Sequence, residues 1–290
     1  FTDLMAFDEK SQEFYQGKSL STPKDLAQGI IDCISKSNLT IAEAQDLIHG
    51  TTQAINTLIE RKGAKTALLV TQGTRDVYKI GRGNRPESYN LMFKRHTPLV
   101  ARQFTYEVNE RMMADGSVRT KVDPAQVKAL CQQLKESDVE AIAVCFLHSY
   151  ANPDHEKEVG AILAKELPDC YVSLSHEILR EYREFERTST TVVNAYIGPR
   201  MSGYVHSLED RLKDIGFGGE LSIMQSNGGV MTPGVAVQKP VTMMESGPVG
   251  GIIASAEIGK ALGYENVISF DMGGTTAKAS LVREGQATMA

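Results

Sequence analysis

The chain has 290 residues, 41% hydrophobic and 23% charged, with a formal net charge of -5 and no tryptophan. This is the balance of a soluble globular protein, and at roughly 150 residues per domain it predicts about two domains. Without a block of like charge or a run of aromatics, it argues against nucleic-acid and anionic-membrane surfaces. No apolar stretch approaches the roughly 18 residues of a membrane span. The four cysteines, at 33, 131, 145 and 170, form no CxxC pattern. Most lie in apolar-periodic or strand-like contexts, as reduced, buried thiols of a cytoplasmic protein do.

Taken in order, Phe1, Leu4, Ala6 and Phe7 predict a strand, a turn at Asp8-Glu9-Lys10, and a returning strand over Gln12 to Lys18. Thr22-Pro23 starts a helix with Leu26, Ile30, Ile31 and Ile34 at helical spacing. Thr40 to Glu43 is a capping box, predicting a second short helix to Ile48. His49-Gly50-Thr51-Thr52 is a polar turn before a helix over Ala54 to Arg61, which Gly63 ends. Two readings of that turn stand side by side: His49 at a ligand site on a helix N-terminus, or a threonine that simply caps the helix.

Thr66 to Thr71 is an apolar strand, so helix and strand alternate as in an α/β fold. The stretch from Gln72 to Pro98 reads as a loop; its Arg82 and Arg85 fit either an anion clamp or a solvated surface. Asp115-Gly116 predicts a hairpin after the strand over Gln103 to Asn109. Asp123-Pro124 opens a helix with Val127, Leu130, Cys131 and Leu134 on one face. Ala141 to Leu147 is a strand buried on both sides, Asn152-Pro153 caps another helix, and Tyr171 to Leu174 is a short strand.

His176 to Arg187 is a charged connection, read as a solvated face or linker, and the domain boundary falls near residue 180. A helix over Thr188 to Ile197 follows, and Pro199 starts the next one, with Met201, Tyr204, Val205, Leu208 and Leu212 as its core stripe. Leu221 to Met224 is a strand opening into Ser226-Asn227-Gly228-Gly229, and a small-residue helix over Ile252 to Leu262 leads to the last strands.

Those strands carry the strongest chemical signal. Val267, Ile268 and Phe270 form a strand that ends at Asp271, turns through Gly273 and Gly274, and restarts at Lys278. Glycines let backbone N–H groups approach an anion, and Thr275 and Thr276 add hydroxyls. A carboxylate beside a phosphate needs an intervening cation, so Asp271 implies Mg²⁺ or proton transfer. The competing reading is an ordinary Gly-Gly turn with an incidental acid.

The order of helix, strand, acid-Gly-Gly-Thr turn and strand resembles the connecting helix and second phosphate motif of the actin-like ATPase superfamily. Within it, six motifs resemble the N-methylhydantoinase A / 5-oxoprolinase family, to which acetone and acetophenone carboxylases also belong. They are His49-Gly50-Thr51-Thr52, Glu60-Arg61-Lys62-Gly63, Asp76-Val77 before Ile80-Gly81-Arg82, Ser226-Asn227-Gly228-Gly229, Ser246 to Gly251, and Asp271 to Thr276.

The resemblance implies an α/β, actin-like (ribonuclease H-like) fold of mixed sheets with flanking helices, incomplete at both termini. Residues 1–180 would be the family's N-terminal domain and 181–290 the start of its main domain. The first phosphate turn would precede Phe1, the adenosine segment would follow Ala290, and the fragment alone would be inactive. It further implies ATP and Mg²⁺ as cofactors, with Asp271 as catalytic residue and metal ligand. Gly273, Gly274, Thr275 and Thr276 would bind phosphate, and Thr2 and Asp3 would flank the first phosphate turn. His49, Thr51 and Arg82 would be substrate residues.

The implied activity is ATP-dependent opening of a cyclic amide such as a hydantoin or 5-oxoproline. A hydantoinase B-type subunit or downstream domain would be the partner in an oligomer. The alternatives are a ketone carboxylase subunit, a small-molecule kinase of the same fold, and an ATP-driven switch without turnover. Many relatives carry Asp where Lys278 stands, so that residue's role is not carried over.

Overall fold

The structure is a computed structural model and describes residues 1–22, 25–84, 87–272 and 277–287. The chain begins with β1 (Thr2–Asp8), β2 (Glu13–Ser19), α1 (Gln28–Lys36), β3 (Asp46–His49), α2 (Gln53–Ile59), β4 (Thr66–Thr71) and α3 (Val77–Ile80). It continues with β5 (Thr105–Val108), β6 (Arg111–Met112), β7 (Val118–Thr120), α4 (Pro124–Glu136), β8 (Ala141–Cys145), α5 (Asp154–Glu166), β9 (Tyr171–Leu174) and α6 (Ser175–Ile178). The last part holds α7 (Glu184–Asp214), β10 (Glu220–Met224), β11 (Val230–Met231), α8 (Pro233–Gln238), α9 (Ser246–Ala261), β12 (Val267–Met272), β13 (Ala277–Arg283) and β14 (Gln286–Ala287).

The chain forms two compact units. One comprises Phe1–Ile55, Met201–Val237 and Thr242–Ala290; the other comprises Asn56–Arg200 and Gln238–Val241. Both are discontinuous in sequence, whereas the sequence reading draws a single boundary near residue 180.

In the second unit, β5, β4, β8 and β9 lie side by side in that order, all parallel. β4 and β8 are buried along their whole lengths. Successive side chains point to opposite faces, so the sheet has two cores. Ala67, Leu69, Ile142 and Val144 join Leu130 and Leu134 of α4 and Val159 and Leu163 of α5 on one side. Leu68, Val70, Ala141 and Ala143 meet Val192 and Ala195 of α7 on the other. Helices on both faces explain why these strands read as continuous apolar runs.

In the first unit, β3 pairs in parallel with β10, which pairs antiparallel with β11. β1 and β2 form a hairpin, and β12, β13 and β14 a meander. α9 lies against the meander: a Cβ added at Gly259 would sit 2.6 Å from a Val267 methyl, and Ser255 hydrogen-bonds Ser269.

Several predicted elements differ from those observed. The capping box gives only a 3₁₀ turn over Ile41–Glu43 with no side-chain cap, and Asp46–His49 is strand, because β10 supplies it a parallel partner. α1 starts at Gln28 rather than Thr22, and the Thr22 hydroxyl instead bonds Asp25 and Gly29. α2 ends at Ile59, and Arg61, not Gly63, takes the left-handed conformation at φ 53°. Gly63 is required for another reason: a Cβ there would lie 2.3 Å from the Tyr196 ring. Residues 184–214 form one helix with Pro199 inside it, where the sequence predicts two.

The charged connection is solvent-exposed over residues 180–183, as read, but its last residue is not. Arg187 is fully buried, donating to the Phe146 carbonyl at 2.8 Å, to Ser175 at 3.2 Å and to Ser149. Of the cysteines, Cys33, Cys131 and Cys145 are buried and Cys170 is half-buried, all as free thiols.

Candidate functional site

The parallel pair β3–β10 sets the site. Ile223 lies opposite His49, so the two strands end together. In an open α/β sheet, ligands bind outside the carboxyl ends of parallel strands. The loop after β3 is His49-Gly50-Thr51-Thr52, and the loop after β10 is Gln225-Ser226-Asn227-Gly228-Gly229. Both rest on the N-terminal half of α9.

The first loop docks through its backbone. The Thr51 N–H donates to Ser246 Oγ at 3.0 Å, and that hydroxyl donates back to the Thr51 carbonyl at 3.2 Å. A Cβ at Gly50 would lie 3.2 Å from the Gly247 Cα, a tight contact against backbone. Thr51 Oγ1 then caps α2 by accepting from the Gln53 N–H at 3.1 Å. In the second loop, Gly228 has φ 88° and a Cβ there would meet Ile253 of α9 at 3.2 Å. Ser226 Oγ donates to the Thr242 carbonyl at 2.9 Å and to that of Met244. The glycines therefore serve close approach as well as turning.

His49 ends β3 with its Nε2 2.6 Å from the Tyr204 hydroxyl. Burial pushes the imidazole down to about 4, so it is neutral near pH 7. Burial raises the Tyr204 phenol, and a hydrogen bond with Thr51 offsets part of that. His49, Thr51 and Tyr204 are thus one hydrogen-bonded group. Tyr204, read from the sequence as core, is both core and the partner of His49.

Asp271 is exposed on β12, directly across from Lys278 of β13. Strand alternation gives it the same face as Val267 and Ser269, the face that contacts α9. Lys278 forms an ion pair with Glu245, the residue before α9, which has φ 64°. Among the described residues no group of three or more His, Cys, Asp or Glu side chains could hold a metal ion. A single exposed carboxylate still fits Mg²⁺, which is commonly held by one or two carboxylates together with waters and substrate phosphates. The phosphate-binding candidates Gly273, Gly274, Thr275 and Thr276 lie outside the described residues.

The remaining candidates sit elsewhere. Thr2 and Asp3 are on β1, opposite Ser19 and Lys18, and Asp3 forms an exposed ion pair with Lys18 at 2.8 Å. Arg82 belongs to the other compact unit, where its guanidinium pairs with Glu186. Ser246, Tyr204, Glu245 and Lys278 escaped the sequence reading as site residues. The two glycine-bearing motifs, His49 to Thr52 and Ser246 to Gly251, were the signal that two backbones meet closely.

The chain matches the hydantoinase/oxoprolinase N-terminal region over residues 1–167 and the hydantoinase/oxoprolinase domain over residues 187–290. It is 42% identical to an uncharacterised protein of Methanocaldococcus jannaschii, over 97% of this chain and 42% of that one. It is 35% identical to the caprolactamase alpha subunit of Pseudomonas jessenii, over 99% of this chain and 42% of that one. The solved structure of the ATP-dependent caprolactamase from Pseudomonas jessenii superimposes with a TM-score of 0.82 at 33% identity, over 97% of this chain and 42% of that one. A nucleotide-free acetone carboxylase structure gives 0.88 at 27%, over 99% and 43%. The chain thus spans less than half the length of these relatives. The α/β fold of mixed sheets is the actin-like ATPase type expected from the motifs, and no helix among the described residues is long and apolar enough to cross a membrane. The chain belongs to the hydantoinase/oxoprolinase family.

Proposed function

We propose that the intact protein couples ATP hydrolysis to the opening of a cyclic amide, acting with a second subunit or domain of the hydantoinase B type. The observation that carries this reading is the double docking of the His49–Thr52 and Ser226–Gly229 loops on α9, beside the strand that bears Asp271. This arrangement occurs in a chain related over nearly its whole length to an ATP-dependent caprolactamase. The two family matches, ending at 167 and resuming at 187, support a division of the chain near residue 180.

ATP with Mg²⁺, when bound, supplies phosphorylation of the amide oxygen, which makes an otherwise resonance-stabilised bond cleavable. The chain's own residues position and neutralise. Asp271 holds a Mg²⁺-bound water or takes a proton from substrate. Gly273, Gly274, Thr275 and Thr276 hold phosphate oxygens, with Thr2 and Asp3 flanking the partner turn. His49, kept neutral, and Thr51 orient substrate. Lys278 holds Glu245 at the start of α9.

The second reading is a ketone carboxylase subunit, favoured by the 0.88 TM-score to acetone carboxylase. ADP release by the intact protein decides between them, measured with caprolactam, 5-oxoproline, N-methylhydantoin, and acetone plus bicarbonate. Stimulation by a cyclic amide supports the proposal. Stimulation by acetone and bicarbonate alone replaces it with the carboxylase, and stimulation by none removes both.

A further inference from the structure

A cavity of about 500 Å³ lies within the unit that contains Asn56–Arg200 and Gln238–Val241. His176, Glu177, Ile178, Arg180, Gln238 and Lys239 line it. Its size is that of a small-molecule site. Its floor is built rather than incidental. Glu156, with no exposed side chain, accepts from His176 Nδ1 at 2.7 Å, from the His176 N–H at 2.9 Å, from the Phe146 N–H at 2.9 Å and from Ser175. Burial would raise this carboxyl, but the hydrogen bonds outweigh it and hold Glu156 below the usual range. An ionised carboxylate only accepts, so the proton of His176 sits on Nδ1 and the ring is locked in place. Nε2, on a side chain only 8% exposed, lies 3.9 Å from Glu177 Oε1.

The lining is therefore amphoteric. Arg180 and Lys239 supply two positive charges, and Glu177 supplies a carboxylate. We propose that this cavity binds a small amino acid, its carboxylate held by Arg180 and Lys239 and its ammonium by Glu177. A guanidinium matches a carboxylate in a bidentate way that a lone ammonium does not. Neither a simple carboxylate nor a simple amine would use both halves. The ring-opened product of a cyclic amide is such a molecule, but the assignment stands on the lining and not on the reaction proposed above.

Calorimetry on the intact protein without nucleotide tests it, titrating 4-aminobutanoate and 6-aminohexanoate against hexanoate and hexylamine. An amino acid should bind at least about fivefold more tightly than either single-charge analogue, since each analogue leaves one half of the lining unused. Arg180→Ala should weaken it about tenfold. Glu177→Gln, an exposed change that leaves the fold intact, should erase the preference over hexanoate while leaving hexanoate binding unchanged. Equal binding of hexanoate and the amino acids overturns the ammonium half. Insensitivity to Arg180→Ala overturns the carboxylate half. No binding of either amino acid overturns the site. Turnover plays no part in these measurements, so failure here leaves the reaction open, and failure of the reaction leaves this site open.

Discussion

The Ser246 hydroxyl accepts a hydrogen bond from the Thr51 N–H and returns one to the Thr51 carbonyl, joining residues 195 apart in sequence. Both residues are buried. One side chain thus satisfies both backbone groups of a loop residue that also caps α2. Ser246→Ala leaves the Thr51 N–H without an acceptor inside the protein. A buried unsatisfied group costs about 1–3 kcal/mol, so urea denaturation should show a loss of about 2 kcal/mol. A loss below about 0.5 kcal/mol would mean that water replaces the hydroxyl and the loop is not held this way.

Gly50 and Gly247 test the same junction by size. In Gly50→Ala the new methyl would approach the Gly247 Cα at 3.2 Å, and the neighbour is backbone, which cannot rotate away. Overpacking of this kind costs about 1–3 kcal/mol. Gly251→Ala, whose Cβ would meet nothing within 4 Å, is the matched control. The first variant should melt lower than the second; equal melting would show that the contact is not tight in solution.

His49 gives the junction a pH signature. Its folded value of about 4 lies below the ordinary 6.5, so the unfolded chain binds the extra proton between those values. Stability contributed by neutral His49 is complete above about pH 6.5 and is lost as pH falls toward 4. At about 1.4 kcal/mol per unit, the loss is at most about 3.5 kcal/mol. His49→Gln should flatten this part of the stability curve measured from pH 4 to 7, and an unchanged slope would assign the pH dependence to other groups.

Much of the fold was legible because particular residues left one choice. The face of α4 read from Val127, Leu130, Cys131 and Leu134 is the buried face observed. Asp123 caps that helix through the Ala125 N–H, and Gly116 turns the hairpin at φ 82°. Two of the misses share a cause in long-range pairing. Thr40–Glu43 has the local pattern of a helix start, yet Asp46–His49 gains a whole strand partner in β10, which outweighs a cap. Arg187 sits in a charged stretch, yet the Phe146 carbonyl and two serine hydroxyls, brought from elsewhere in the chain, make its burial possible. For the site, glycine motifs marked the loops, but nothing local pairs Thr51 with Ser246, or His49 with Tyr204.

The buried Glu156 carries a separate prediction for the second unit. Removing one charge from a buried, hydrogen-bonded group is strongly destabilising, so Glu156→Gln should cost about 3 kcal/mol. Its folded value lies below the ordinary 4.5, so its stabilisation is present above that pH and is lost as pH falls through the lower folded value. The variant should therefore lose less stability on acidification below pH 4.5 than the parent does. A parallel acid profile in the two proteins would show that Glu156 does not titrate in this range.

Asp271 is where the account of function is most exposed. It is solvent-accessible and lies across from Lys278, so Asp271→Asn removes a charge without disturbing the core. The direct test is ADP release by the intact protein with its partner subunit, driven by whichever cyclic amide stimulates it, in parent and Asp271→Asn. The melting temperature should be unchanged and turnover should fall about 100-fold or more, the scale of losing one electrostatic contact to a reacting group. Turnover near that of the parent would contradict the role given to Asp271.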